Sequence, residues 1–77
     1  MKTRMFDILR IALEADESST AELSECLLDD LDHAGYDFEN YSTVTMFQML
    51  KQIGHSLDSL DTFNAACKID TAVVNAK

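Results

Sequence analysis

The chain reads as an all-α protein, a compact bundle of about four short helices that could take a helix-turn-helix-like form. Three observations predict this. Its 77 residues include no proline and only two glycines, too few turn formers for the many tight reversals of a β-sandwich or barrel. Apolar residues recur three and four positions apart in four segments, the period of an amphipathic helix. Each segment is bounded by residues that start or stop helices.

The first helix is expected from about Thr3 to Ala15. Met5, Ile8, Leu9, Ala12 and Leu13 share one face, and Phe6 and Ile11 widen it. The polar run Asp16-Glu17-Ser18-Ser19 ends it. The second begins at that run, where Ser19 and Glu22 have the spacing of a capping box. Its apolar stripe is Leu23, Cys26, Leu27, Leu31 and Ala34, with Gly35 as a left-handed C-cap. A linker, Tyr36-Asp37-Phe38-Glu39-Asn40-Tyr41, leads to Ser42, the expected N-cap of the third helix. Val44, Met46, Phe47, Met49, Leu50 and Ile53 give that helix its apolar surface, and Gly54 ends it. The fourth is expected from Ser56 or Asp58 onward through Leu57, Leu60, Phe63, Cys67, Ile69 and Val73, with a fraying tail from Val73 to Lys77.

Length and composition set further bounds. A chain this short fits one domain, 1–77. It buries only about 60% of the surface its unfolded form exposes, so its core is thin. An apolar fraction of 47% is too high for a disordered chain. No apolar run reaches the roughly 18 residues of a membrane span. The start, Met1 to Asp7, has the basic character of a signal peptide, but Asp7, Arg10 and Glu14 interrupt its apolar stretch; a cytoplasmic protein is expected. Cys26 and Cys67 read as reduced, buried thiols. Neither they nor His33 and His55 show the short spacing of a structural zinc motif, so no metal site is expected.

Charge placement is the feature that packing alone does not require. The formal net charge is −8. From Ile11 to Leu50 there is no lysine or arginine, while that stretch holds ten acids: Glu14, Asp16, Glu17, Glu22, Glu25, Asp29, Asp30, Asp32, Asp37 and Glu39. Glu22 with Glu25, Glu25 with Asp29, and Asp29 with Asp32 are like-charge pairs at helical spacing, each destabilising by a few tenths of a kcal/mol. Such a field attracts a basic protein surface and repels nucleic acid and anionic membranes. Tyr36, Phe38 and Tyr41 read in two ways, as residues that pack the linker onto the core or as aromatic anchors of the kind that concentrate binding energy.

Four resemblances bear on function. In size and charge the chain resembles small acidic phage and mobile-element proteins, including anti-restriction and anti-CRISPR proteins, which implies mimicry of a nucleic-acid backbone. Arg4 to Leu13, then Ser19-Thr20-Ala21-Glu22-Leu23-Ser24-Glu25-Cys26-Leu27, then Ser42-Thr43-Val44 to Gly54, is similar to winged-helix regulators. That likeness implies a transcription regulator, but the would-be recognition helix holds only Lys51 as a base, and no wing follows Gly54. Asp58-Ser59-Leu60-Asp61-Thr62 resembles the phosphopantetheine attachment motif of acyl carrier proteins, which implies Ser59 as the attachment residue, although only 18 residues follow it. Asp30-Leu31-Asp32-His33-Ala34-Gly35 resembles the opening of an EF-hand loop, but Ala34 stands at its fifth position and Tyr41 at its twelfth, where a bidentate glutamate belongs.

No nucleophile stands beside a base and no glycine-rich phosphate loop occurs, so no catalytic residues and no cofactor are expected. The sequence points to a small acidic interaction module, a regulator or inhibitor that docks on a basic, nucleic-acid-binding protein. Its expected partner-binding residues are Glu22, Glu25, Asp29, Asp30, Asp32, Tyr36, Asp37, Phe38, Glu39 and Tyr41. Broad apolar helix faces also make a homodimer an even expectation.

Overall fold

The structure is a computed structural model. It describes residues 2–36, 38 and 43–76, and of residues 2–4 and 43–45 the backbone alone. Four helices are present and, among the described residues, no strand: α1 (Lys2–Glu14), α2 (Ala21–His33), α3 (Thr43–Gln52) and α4 (Leu60–Ala76). α1, α2 and α4 pack against one another in all three pairings, and α3 leans on α4 and α2. One core joins them, with Phe6, Leu9, Leu13, Leu27, Leu28, Leu31, Met46, Leu50, Ile69 and Val73 among its buried members.

The all-α bundle is as expected, but the inward faces are rotated. On α1 the buried residues are Phe6, Leu9 and Leu13, while Ile8, Ile11 and Ala12 stay exposed. A helix seated against two neighbours covers only part of its circumference, and α1 has more apolar residues than that part can hold. On α2 the inward set is Ser24, Leu27, Leu28 and Leu31, which is the i, i+3, i+4, i+7 pattern one step round from the expected stripe. Cys26 and Ala34 are therefore exposed and Leu23 is half-buried. A serine can face inward because its hydroxyl is satisfied. Ser24 Oγ donates to the carbonyl of Thr20 at 2.8 Å and lies 3.3 Å from that of Ala65. Ala65 and Ala66, both fully buried, let α4 come close to α2 at this point.

The helix ends obey two different rules. At the start of α2 the expected Ser19–Glu22 capping box does not form. Thr20 is the N-cap, with φ −97° and ψ −1° and no side-chain cap bond. These near-helical dihedrals differ from the extended ones that aim a cap side chain at the first turn. The turn is held instead by the Asp16 carboxylate, which accepts from the Ser18 amide at 2.9 Å, and by a 3.2 Å bond between the Ser18 and Thr20 hydroxyls. The C-termini match expectation. Gly35 and Gly54 take φ of +79° and +98°. The Tyr36 amide donates to the Leu31 carbonyl and the Gly35 amide to that of Asp32. His55 and Gly54 repeat the pattern on Leu50 and Lys51. Both are Schellman closures, which require the left-handed residue.

Between α2 and α3, Phe38 is buried and its ring meets that of Phe6 at 5.1 Å, tilted by 53°. Ser42, expected to cap α3, lies outside the described residues. α4 starts at Leu60, later than expected, with the Ser59 carbonyl accepting the Phe63 amide at 3.0 Å. Leu57 stays in the preceding loop yet packs on the core. α4 runs through the stretch expected to fray as far as Ala76, and Val73 in it is fully buried. Both cysteines are free, but the expectation of buried thiols fails, since Cys26 is exposed and Cys67 half-buried.

Candidate protein-docking surface

Helical geometry sorts the acids of α2 into two edges. Glu22, Glu25, Asp29 and Asp32 stand at i, i+3, i+7 and i+10 and share one edge, while Asp30 falls on the opposite one. The first edge runs beside α1, because Arg10 reaches across to it. One guanidinium nitrogen bonds Asp29 and the other lies 3.1 Å from Asp32. The two carboxylates are a like-charge pair one turn apart, and Arg10 bridges them. Its guanidinium is pushed above its ordinary pKa, chiefly by the bond to Asp29. On the other edge Asp30 meets His55 Nε2 at 2.7 Å, which ties the loop after α3 back to α2.

Thus the lack of lysine and arginine between Ile11 and Leu50 does not leave every acid bare. Arg10 comes from one side of the stretch, and His55 and Lys68 from the other. Lys68 Nζ lies 2.5 Å from the Asp16 carboxylate. That bond, with the Ser18 amide bond second, holds the Asp16 carboxyl below its ordinary pKa. Asp29, Asp30 and Asp32 remain 43–52% exposed even when paired, so each keeps acceptor oxygens toward solvent. Glu22 is exposed. Glu25 is half-buried, and its Oε1 is screened from solvent without a hydrogen-bond partner.

The aromatic residues divide differently. Phe38, only 3% exposed, offers no surface to a partner. Tyr36 packs partly against the core, and its hydroxyl donates to Gln52 Oε1 at 2.5 Å, joining the end of α2 to the end of α3. Asp37, Glu39 and Tyr41 lie outside the described residues. The structure therefore brings Glu22, Glu25, Asp29 and Asp32 onto one edge, sets Asp30 on the other, and turns Tyr36 and Phe38 to packing. Sequence reasoning missed Arg10 and His55. Arg10 had a signal: it sits beside the inward residues of α1, where it can reach a neighbouring helix. His55 had none beyond following Gly54.

The remaining chemistry is sparse. His33 Nδ1 lies 2.8 Å from the Asp29 carbonyl; the carbonyl can only accept, so this nitrogen carries the proton and closes the last turn of α2. Among the described residues no group of three or more His, Cys, Asp or Glu is placed to hold a metal, and no helix is long and apolar enough to cross a membrane. Ser59 is exposed just before α4, the place a carrier's attachment serine would occupy, but α4 is the one described helix after it. Set against known proteins, the chain matches no protein family, no curated protein and no solved structure.

Proposed function

We propose that this chain is a non-catalytic interaction module whose α2 edge docks on a basic surface of a nucleic-acid-binding protein and competes there with the nucleic acid. The observation that carries the reading is the row Glu22, Glu25, Asp29, Asp32: four acids on one helix edge, with no lysine or arginine on α2 itself. At 1.5 Å per residue the row is about 15 Å long, roughly four phosphate steps of one DNA strand along its axis. Arg10 supplies one positive charge to four negative ones, so it orients the row more than it cancels it. Carboxylates already held in place lose less freedom on docking than free side chains would.

The test uses a double variant that neutralises charge on this edge and keeps shape, Glu22→Gln with Glu25→Gln, and Asp30→Asn on the opposite edge as the control. The Arg10 ion pairs are with Asp29 and Asp32, so the bridge from α1 to α2 stays. A basic nucleic-acid-binding protein captured by the tagged chain at low salt, and released as salt rises, is purified. Its binding to its own nucleic acid is then followed by gel shift. The unmodified chain and Asp30→Asn are expected to displace the nucleic acid and the double variant to lose at least tenfold in potency. Equal potency of the double variant overturns the reading.

A further inference from the structure

Among the described residues, the large apolar side chains that remain exposed are Ile8, Ile11, Leu60, Phe63 and Val74. All five lie on α1 and α4. These two helices are also nearly neutral. α1 carries three bases against two acids and α4 one base against two acids; with Arg10 turned to α2 the two helices come to a net of −1, while α2 carries five acids and no lysine or arginine. Charge and exposed apolar surface are therefore segregated onto different helices.

The exposed apolar residues are also in register. On α4, Leu60, Phe63 and Val74, with the half-buried Cys67, stand at i, i+3, i+14 and i+7, Phe63 keeping one ring face stacked on Phe47 at 5.5 Å, and on α1 Ile8 and Ile11 stand at i and i+3, with Ala15 at i+7 just past the helix end. This is the heptad spacing with which one helix meets another. Between the two stripes runs an open furrow of about 390 Å³, lined by Ala12, Leu13, Cys67 and Ala72 with the Asp16–Lys68 pair in its wall.

We infer that this α1–α4 face receives a second copy of the chain, with the two α4 helices antiparallel and crossing at Cys67. Leu60 and Val74 each stand seven residues from Cys67. A twofold axis there sets Leu60 of one copy against Val74 of the other, Phe63 against Thr71, and Asn64 against Asp70, a hydrogen-bond donor against a carboxylate. Such a contact is isologous and closes after two copies. The charge distribution selects this occupant. A strongly basic or acidic partner finds no complementary field on a neutral face. Two copies that each carry −8 can meet without direct repulsion only on a surface of low net charge; α3, with one lysine and no acid, is also low in charge, but its described residues include none of the exposed large apolar side chains. The residual repulsion between the acidic α2 helices acts at longer range and is screened beyond about 8 Å at physiological salt. The inference is independent of what docks on α2.

Sedimentation velocity over a concentration series, at low and at high salt, tests it. The chain is expected to sediment at twice its 8.6 kDa mass, with the dimer fraction rising with salt. The Leu60→Glu/Val74→Glu variant should sediment as a monomer at the same concentrations with unchanged helical circular dichroism, since both side chains are more than half exposed. Should that variant lose its helicity, Ile11→Glu on α1, at a position 69% exposed, gives the same reading. In a Cys26→Ser background a short bismaleimide should join two chains through Cys67, and in a Cys67→Ser background it should not. A chain that stays monomeric up to millimolar concentration at high salt, a dimer indifferent to all these substitutions, or linkage through Cys26 alone overturns the inference.

Discussion

The outward side of α2 and the outward sides of α1 and α4 belong to one small bundle yet are composed in opposite ways. On α2 the positions flanking the inward stripe hold acids, and the inward stripe itself is Ser24, Leu27, Leu28 and Leu31. On α1 and α4 the outward positions include large aliphatic and aromatic side chains, and the charges nearly balance. A fold needs only the inward stripes. Both outward compositions go beyond that need, in different directions: one builds field, the other leaves apolar area in water. Their responses to salt should therefore have opposite signs. If α2 docks a basic partner and α1 and α4 receive a second copy, the first association should weaken as salt rises and the second should strengthen.

The largest effect that can sharpen this contrast separates the inward from the outward residues. Leu28 is fully buried, so Leu28→Ala leaves a cavity and should destabilise the domain by about 2–5 kcal/mol. A domain of this size holds only about 4–12 kcal/mol in all, so the variant is expected near the edge of unfolding. Ile11→Ala removes a side chain of similar size from an exposed position and should change the stability of the monomer by less than about 0.5 kcal/mol. Urea unfolding of both variants at low protein concentration checks this. A cost at Ile11 comparable with that at Leu28 would place Ile11 in the monomer core and remove it from the outward face.

A smaller effect tests the joint between the two regions. Arg10 projects from the neutral α1 onto the acidic edge and bridges Asp29 and Asp32. Arg10→Met keeps the aliphatic stem and removes the charge. The two bonds are partly exposed, so the expected loss is only about 1 kcal/mol, to which the uncovered repulsion between Asp29 and Asp32 adds a few tenths. Because both terms are electrostatic, the difference between Arg10→Met and the parent should shrink as salt is raised. A salt-independent difference would mean that Arg10 acts through the packing of its stem instead.

How far the sequence discloses this arrangement depends on the range of the interaction concerned. The four helices, their order and both glycine closures are local properties, set by period and by left-handed dihedrals at Gly35 and Gly54, and they are readable from the chain. The face each helix turns inward is not local. α2 is richer in candidate apolar positions than its core contact can use, and Ser24 wins over Cys26 because α4 offers the Ala65 carbonyl and small side chains at that level. The acids of α2 are legible as a run, but their pairing is not, since Arg10, His55 and Lys68 lie 19, 25 and 52 positions from their partners. Phe38 is open in the sequence to both linker packing and a surface role, and the neighbouring ring of Phe6 decides for packing. The same ambiguity applies to Ile8 and Ile11, which share one helix face with buried residues in the sequence but not in the fold.

The smallest effect is a matter of pH and concerns the pair in the wall of the α1–α4 furrow. Asp16 is held below its ordinary value of 3.8, first by the bond to Lys68. A carboxyl with a depressed folded pKa contributes stability that is present above its unfolded pKa and lost as pH falls through the folded one. Asp70 is the opposite case. Burial raises its carboxyl above 3.8, so its contribution is present below the unfolded pKa and lost as pH rises through the folded one. The two therefore act on opposite sides of 3.8, Asp16 below it and Asp70 above it, so that together they favour the fold most near that pH. Lys68→Met removes the main cause of the Asp16 shift and leaves the Ser18 amide bond. In a carboxyl-resolved NMR titration Asp16 should move back up toward 3.8 while Asp70 stays raised, and the variant's stability should fall less steeply than the parent's on acidification below about pH 4. An Asp16 titration unchanged by Lys68→Met would show that the turn at Ser18, and not the contact between α1 and α4, sets its charge.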